Sequence, residues 1–349
     1  MLSKKIKYIS LFIMIILSVN ILYGCNTSNN KNTPISKTNF YLDTVITIKL
    51  YDNVDDTIFN KVFDRIEEIE NKMTINKNTS EVIDINSNSG ENFVKVSRDT
   101  FNVIEKSLYY SELSKGYFDI TVGPIVKLWN IGSDDARVPT KDEIKATLPK
   151  VDYKKILINK DTKEVMLKDK GMVIDLGGIA KGYVADEVKN LLVDNGVEHG
   201  IINLGGNVYT LGTKVDGSKW KIGIQNPLET RGAYIGTVSV SNKSIVTSGI
   251  YERFFEKDGK RYHHILSPFT GYPVNNNLSG VSIISDKSID GDALSTSIFS
   301  IGLKEGKKII ENLDGVDAIF ITKDKKISIT SGLKDNFELV NNSFEFISD

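Results

Sequence analysis

The sequence predicts an α+β fold in one large domain, with mixed or antiparallel sheets and helices packed against them. Segments with strand alternation and segments with helical periodicity follow one another, but without the regular strand–helix–strand rhythm of a doubly wound sheet. The 40% hydrophobic and 26% charged residues are ordinary for a globular protein, so a chain of 349 residues can bury a sizeable core.

Several functional classes receive no support. The formal net charge of −1 gives no general attraction to nucleic acid. The chain has no internal repeat, no zinc-type Cys/His spacing, no Walker loop and no G-x-G-x-x-G. A Ser-His-Asp triad is compatible with the composition, but no nucleophile-elbow pattern supports it.

The N-terminus has the pattern of a secretory signal. Three lysines precede an apolar run over 9–22, and Cys25 follows, the single cysteine of the chain. A cysteine there resembles a bacterial lipobox, which predicts a signal peptide over 1–25 and a palmitate-type lipid on Cys25. An uncleaved anchor helix is the alternative, and it also leaves the remainder outside the membrane. We expect a flexible polar tether over 26–38, a globular domain over 39–349, and an extracytoplasmic, membrane-anchored location.

Periodicity and turn residues predict the elements of this domain. Helices are expected over 55–72, 97–115, 180–195 and 290–312, with a short one within 129–149. Strands are expected over 44–50, 155–158, 164–167, 171–176, 200–204, 220–224, 233–240, 244–246, 280–285, 318–322 and 327–330.

The stretch Val-Ile-Asp-Leu-Gly-Gly-Ile-Ala-Lys-Gly-Tyr over 173–183 is where a predicted strand passes into a helix. Asp175, Gly177, Gly178 and Lys181 lie at this junction. Backbone N–H groups at a helix start attract anions, and glycine permits a close approach of a ligand. A plain strand–turn–helix is the alternative, and the pattern alone favours it.

Asp119 lies between aromatic and β-branched residues, in Tyr117-Phe118-Asp119-Ile120-Thr121. A carboxylate there either binds something or satisfies backbone N–H groups of a turn, and the residues favour neither.

Two further segments contain polar groups of catalytic type. His263 and His264 are adjacent on a predicted strand and face opposite sides, so we expect one to point inward and be functional and the other to be exposed. Asp292 and Thr296 share one face of a helix. A helix cap is the simpler interpretation of their spacing, but a carboxylate and a hydroxyl also suit Mg²⁺.

Together these segments resemble the ApbE family of FAD:protein FMN transferases, which are often lipoproteins. The matching motifs are Asp119-Ile-Thr-Val-Gly-Pro, Asp175-Leu-Gly-Gly-Ile-Ala-Lys-Gly-Tyr, Thr247-Ser-Gly, His264-Ile-Leu-Ser-Pro-Phe-Thr-Gly and Asp292-Ala-Leu-Ser-Thr. The resemblance extends from about residue 39 to the C-terminus. It implies a single T-fold-like catalytic domain of the ApbE type.

The resemblance also implies an activity and a site. Mg²⁺-bound FAD would be split, its FMN half passed to a Thr or Ser hydroxyl of an acceptor protein, and AMP released. The acceptor would be a subunit of an Rnf or quinone-reductase complex, or a flavinylated reductase. His264 would be the catalytic base, and the metal ligands would be Asp292, Ser295, Thr296 and a main-chain oxygen near Gly178. The flavin nucleotide would contact Leu42, Asn76, Tyr117, Phe118, Asp119, Asp175, Lys181 and Leu266.

Three positions depart from the family pattern. Ser267 stands where the family usually has Asp, Leu42 where it commonly has Met, and Asn76 where it often has Tyr. Two other functions remain open on the sequence alone: a Mg²⁺-dependent FAD pyrophosphatase that uses water as acceptor, and a flavin-binding lipoprotein without chemistry.

Overall fold

The computed structural model describes residues 33–230 and 232–347, and the described residues from Pro34 onward form one compact unit. The strands are β1 (Ile35–Tyr41), β2 (Thr44–Leu50), β3 (Val94–Lys95), β4 (Ile156–Asn159), β5 (Glu164–Leu167), β6 (Gly200–Leu204), β7 (Asn207–Leu211), β8 (Trp220–Gln225), β9 (Tyr234–Val240), β10 (Lys243–Gly249), β11 (Phe254–Lys257), β12 (Lys260–His263), β13 (Leu278–Ser285), β14 (Asp317–Thr322), β15 (Lys326–Ile329), β16 (Phe337–Leu339) and β17 (Glu345–Phe346). The helices are α1 (Thr57–Met73), α2 (Glu81–Ser87), α3 (Arg98–Leu113), α4 (Gly123–Trp129), α5 (Lys141–Thr147), α6 (Ala180–Asp194), α7 (Ser288–Ile301) and α8 (Leu303–Ile310).

A nine-stranded sheet organises the domain, in the order β1-β2-β6-β7-β10-β13-β14-β15-β17. Its neighbours pair antiparallel except β15 and β17. The register aligns the start of β2, the turn between β6 and β7, and the end of β10 at one end of the sheet. This mixture of antiparallel sheet and helices is the predicted α+β class.

Helices cover one face of this sheet because their apolar residues form continuous stripes. In α1 the buried residues Ile58, Val62, Ile66 and Ile69 recur at helical spacing. Most of α7 is buried, because this helix packs against β10 and β13 of the sheet and against α6 beside it. The main apolar core, which includes Ile46, Leu204 and Val281, fills this layer.

Three smaller sheets complete the fold: β16-β9-β8, β3-β5-β4 and the hairpin β11-β12. A second apolar cluster joins residues of β8 and β9 to residues of the large sheet, including Ile245 and Ile319. A third cluster forms around the fully buried Trp129, and Phe255 and Tyr262 of the hairpin pack against it. The hairpin is thereby fixed to the region of α4 and α5.

The structure corrects several predicted elements. Strand β1 begins at Ile35, so residues 35–38 belong to the sheet and not to a flexible tether. The segment 171–176 is not a strand, and Val173 forms only an isolated bridge with Val122. The long C-terminal helix is two helices, α7 and α8, because Gly302 has φ 94° and interrupts the helical backbone. Helix α2 and strand β7 were not predicted.

None of the helices in the described part of the chain has the length and apolar character needed to cross a membrane. Cys25, the proposed signal over 1–25 and most of the tether lie outside the described residues.

Candidate active site

The segment that leads into α6 is held by a side-chain clamp. Asn86 of α2 accepts a hydrogen bond from the amide of Ile174 at 2.7 Å and donates one to its carbonyl at 3.0 Å. The amide of Asp175 donates to the Ile120 carbonyl at 2.8 Å, and Asp175 Oδ1 accepts the amide of Gly177 at 2.8 Å. These bonds replace a strand ladder and fix the turn before the helix.

Helix α6 then contacts α7 at close range. The amide of Gly182 donates to Asp292 Oδ2 at 2.8 Å. A Cβ at Gly182 would lie only 2.4 Å from the Ser288 carbonyl oxygen, so glycine is required there. One turn earlier, a Cβ at Gly178 would lie 3.8 Å from Thr296 Oγ1 and 3.3 Å from the Phe118 ring. The structure therefore brings together Gly178, Asp292 and Thr296, the residues that the family resemblance assigns to the metal.

A hydroxyl cluster supports this contact. Ser248, at the end of β10, lies 2.8 Å from Ser295 Oγ and 3.4 Å from Thr296 Oγ1. Ser295 is fully buried and donates to the carbonyl of Asp292 at 2.9 Å. Its hydroxyl is thus engaged in supporting the helix, whereas Thr296 is more accessible. The sequence analysis quoted Ser248 within a motif but assigned it no role.

The donor set at this contact suits a hard cation. Asp292 Oδ2 accepts the Gly182 amide, and the Thr296 hydroxyl and the backbone of Gly178 add further oxygen donors at this contact. Mg²⁺ prefers oxygen ligands and usually keeps waters or substrate phosphates in its shell. Among the described residues no group of three or more His, Cys, Asp or Glu could hold a metal alone. The oxygen donors of these residues fit a Mg²⁺ ion.

The two histidines have different environments. His263 is buried; its Nε2 lies 2.9 Å from the Val274 carbonyl, and its Nδ1 accepts the amide of Ile265. His264 is half-buried, and its Nδ1 lies 3.2 Å from the carbonyl oxygen of Arg253. The sequence predicts that the histidine pointing inward is the functional one. The inward residue is His263, and this prediction is wrong for it because its ring holds two main-chain segments together.

The contact with Arg253 sets the tautomer of His264. A carbonyl oxygen only accepts hydrogen bonds, so Nδ1 carries the proton and Nε2 keeps its lone pair. Burial, together with the positive charges of Arg253 and Lys181, lowers the pKa of His264 to about 4. The imidazole is thus neutral at pH 7 and can accept a proton at Nε2.

Positive charge surrounds this region. Burial raises the pKa of Asp175, while the charges of Arg253, Lys181 and Lys127 oppose that shift. The charge of Lys181 acts on both Asp175 and His264, so the histidine lies within electrostatic range of the start of α6. No side chain caps the N-terminus of α6, whose N–H groups favour an anion there. Arg253 and Lys127 gave no signal in the sequence because no motif spacing includes them.

Asp119 has the structural role of a turn aspartate. Its Oδ1 accepts both the amide and the hydroxyl of Thr121, and its Oδ2 accepts the amide of Tyr153 at 2.9 Å. Burial raises its pKa. A cavity of about 340 Å³ lies beside it, bounded by Gly116, Tyr153 and Phe269 among others.

Of the aromatic pair before Asp119, Tyr117 is exposed and packs edge-to-face against Phe269, with ring centroids 5.0 Å apart. Phe118 is buried and borders Gly178, as its predicted place in the site requires.

Leu42 and Asn76 meet at the hairpin turn between β1 and β2. Leu42 and Asp43 both have φ 54°, a left-handed conformation that favours Asn or Gly. The Leu42 amide donates to Glu70 Oε1 at 3.1 Å, and Asn76 Nδ2 donates to Asp43 Oδ2 at 2.6 Å. Helix α1 and the loop after it thus hold the turn in place.

Ser267 and Leu266 have packing and turn roles. Ser267 Oγ accepts the amides of Phe269 and Thr270, both at 3.3 Å, as an aspartate would in the same turn. The family departure at 267 is therefore compatible with the local backbone. The Leu266 side chain is buried in the cluster around Trp129, which does not favour its predicted contact with the flavin.

Comparisons with known proteins show the family to which this fold belongs. The profile of the ApbE family matches residues 42–320. The chain is 39% identical over 302 residues to an FAD:protein FMN transferase of Klebsiella pneumoniae, which covers 86% of this chain and 93% of the relative. It is 36% identical over 297 residues to the FAD:protein FMN transferase of Treponema pallidum, covering 81% and 82%. The crystal structure of the ApbE protein of Thermotoga maritima superposes with a TM-score of 0.79 at 32% identity, covering 86% of this chain and 98% of that one.

The fold is therefore that of a known class of transferases, and the predicted class of enzyme is confirmed. The chain belongs to the ApbE family.

Proposed function

We propose that this protein transfers the FMN part of FAD to a Thr or Ser hydroxyl of an acceptor protein and releases AMP, with Mg²⁺ as cofactor. The observation that carries the proposal is the convergence of Gly178, Asp292 and Thr296 where α6 meets α7. The names of the curated relatives support FAD and protein as substrates.

Asp292, Thr296 and the main-chain oxygen near Gly178 would hold the metal. When bound, Mg²⁺ neutralises phosphate charge and makes the phosphorus easier to attack. Ser248 and Ser295 keep the Thr296 side of the site in position through their hydroxyl contacts.

His264 acts as general base. Its Nε2 accepts the proton of the acceptor hydroxyl as that oxygen forms a bond to the FMN phosphorus. The bond from this phosphorus to the bridging oxygen breaks, and AMP leaves with the bridging oxygen. Arg253 orients the imidazole through its carbonyl, and Lys181 and the α6 N-terminus stabilise the phosphate charge.

The decisive test uses the full chain in detergent with FAD, Mg²⁺ and a candidate acceptor domain. We expect a mass increase equal to FMN on the acceptor, equimolar AMP, and loss of both after EDTA or in Asp292→Asn. Free FMN with AMP but no adduct on any acceptor would favour a pyrophosphatase instead. FAD that binds and stays intact would favour a flavin-binding protein.

The acceptor is proposed to be a subunit of an Rnf-type or quinone-reductase complex, or a flavinylated reductase. We also propose that the protein is an extracytoplasmic lipoprotein anchored through Cys25. Labelling cells with a palmitate analogue tests the anchor: wild type should be labelled and partition with membranes. A Cys25→Ala variant that is still labelled would contradict it.

A further inference from the structure

Asn207 begins β7 directly after the Gly205–Gly206 turn, and it has an unusual environment. Its side chain is 4% exposed, yet Nδ2 has no hydrogen-bond partner among the described residues. Buried amides are nearly always paired because an unpaired donor loses its bond to water without replacement. A donor retained in this state indicates a partner that is supplied by a ligand.

The register shows which face of the sheet Asn207 occupies. Asn207 pairs with Leu204, which pairs with Ile46, and the alignment of β7 with β10 places Val246 on its other side. Residues opposite one another in a sheet point to the same face. Ile46 and Leu204 lie in the core beneath the helices, and Val246 borders Gly291 of α7. The Asn207 amide is therefore on the helix-covered face.

The same register places Asn207 at the end of the sheet where the site forms. Ser248 is two residues beyond Val246 and shares its face, and Ser248 contacts Ser295 and Thr296. Helix α6 packs across β6 and β7, and its first turn carries Lys181 and the Gly182 amide bound to Asp292. Asn207 thus lies near the hydroxyl cluster and under the helix whose uncapped start attracts anions.

We propose that Asn207 is a further substrate-binding residue, whose Nδ2 donates a hydrogen bond to a phosphate oxygen of the flavin nucleotide. A neutral donor suits this position because it binds the anion without adding charge beside the metal ligands. A phosphate oxygen only accepts hydrogen bonds, so it can pair with the Nδ2 donor of Asn207 and not with its amide oxygen. This inference rests on the proposed function, since it requires FAD as the ligand.

The test compares FAD affinity in wild type, Asn207→Asp and Asn207→Leu, measured by flavin fluorescence in EDTA so that no turnover occurs. Asp has the shape of Asn but replaces the donor with a charged acceptor. We expect both variants to bind FAD about 10- to 100-fold more weakly. Inorganic pyrophosphate should compete with FAD in wild type and compete much less in Asn207→Asp.

Asn203→Asp is the matched control. Asn203 lies on the opposite face of the same hairpin, and its Oδ1 accepts the amide of Gly206 at 2.9 Å, which Asp can also accept. FAD affinity in this variant should equal that of wild type.

The outcomes separate the inference from the proposed function. Unchanged FAD affinity in Asn207→Leu, with a raised melting temperature, would mean that Asn207 is an unpaired core amide and would overturn the inference. If Asn207→Asp binds FAD more weakly but pyrophosphate competes with FAD as well as in wild type, the contact of Asn207 with phosphate is overturned. The absence of pyrophosphate competition in wild type would also overturn it. Failure of wild type to bind FAD at all would remove the proposed function as well.

Discussion

Gly182 and Asp292 join the two helices of the active site, through an amide-to-carboxylate hydrogen bond of 2.8 Å. Their separation leaves no room for a side chain at position 182, because a Cβ there would lie 2.7 Å from the Cβ of Asp292. One backbone position thus determines both the helix packing and the orientation of a proposed metal ligand.

Gly182→Ala should force α6 and α7 apart. Overpacking of this kind costs about 1–3 kcal/mol, more than alanine gains in helix propensity. We expect a lower free energy of unfolding in urea and a higher Mg²⁺ concentration for half-maximal transfer. Asn190→Ala, on the exposed side of α6, is the control and should change neither. Wild-type Mg²⁺ dependence in Gly182→Ala would show that this contact does not position Asp292.

His264→Gln should abolish general-base catalysis and leave binding intact. Loss of a general base typically lowers the rate about 10²- to 10⁴-fold. Single-turnover FMN transfer and FAD affinity measure the two effects separately. His263→Gln is the comparison, since it should lose stability but retain transfer. Full transfer by His264→Gln would assign the base to another group.

His263 should make stability depend on pH. Burial lowers its pKa to about 4, below the usual value of 6.5. Between these values the unfolded chain binds a proton that the native protein does not, so stability is greatest above pH 6.5 and falls as the pH decreases towards 4. The loss from this residue between pH 7.5 and 5 should be about 2 kcal/mol.

Urea unfolding at several pH values tests this prediction. The pH dependence should be smaller in His263→Gln, which cannot titrate. An equal dependence in the two proteins would mean that His263 is not kept neutral by the fold.

Asn86 should be needed for the turn before α6. Asn86→Ala leaves both main-chain groups of the fully buried Ile174 unpaired, which should cost about 2–4 kcal/mol. Asn86→Asp keeps the acceptor and loses the donor, so its loss should be intermediate. Chemical denaturation and FAD titration measure the effects. Stability and affinity like wild type in Asn86→Ala would contradict a role for this clamp.

Local pattern predicted the regular elements well. Strands 44–50, 164–167 and 200–204 have the predicted bounds, because their alternation ends at turn residues. The predicted strand over 171–176 is wrong because the main chain of this segment bonds to Asn86 and Ile120 instead of to a neighbouring strand. Partners that are distant in sequence leave no periodic signal. A single glycine inside a helical pattern was likewise insufficient to predict the break at Gly302.

The site residues also divide into those that a local sequence pattern reveals and those that only distant contacts bring into place. Asp175, Gly178 and Lys181 lie in one stretch and could be recognised together. Ser248 reaches the site through strand pairing, and Arg253 through the contact of its carbonyl oxygen with His264. The proposed contact of Asn207 likewise depends on the pairing of β7 with β10, and the spacing of these residues carries no motif of its own. Asp119 could not be resolved from the sequence because both of its interpretations predict a buried carboxylate.

The bond between Gly182 and Asp292 closes a loop of 110 residues. During synthesis, no complete site exists until the chain has been extended past Thr296, close to its C-terminal end. A chain that terminates before α7 therefore lacks one of the two helices that form the proposed nucleotide and metal site. The position of α7 in the chain delays the assembly of this site until most of the domain has been synthesised.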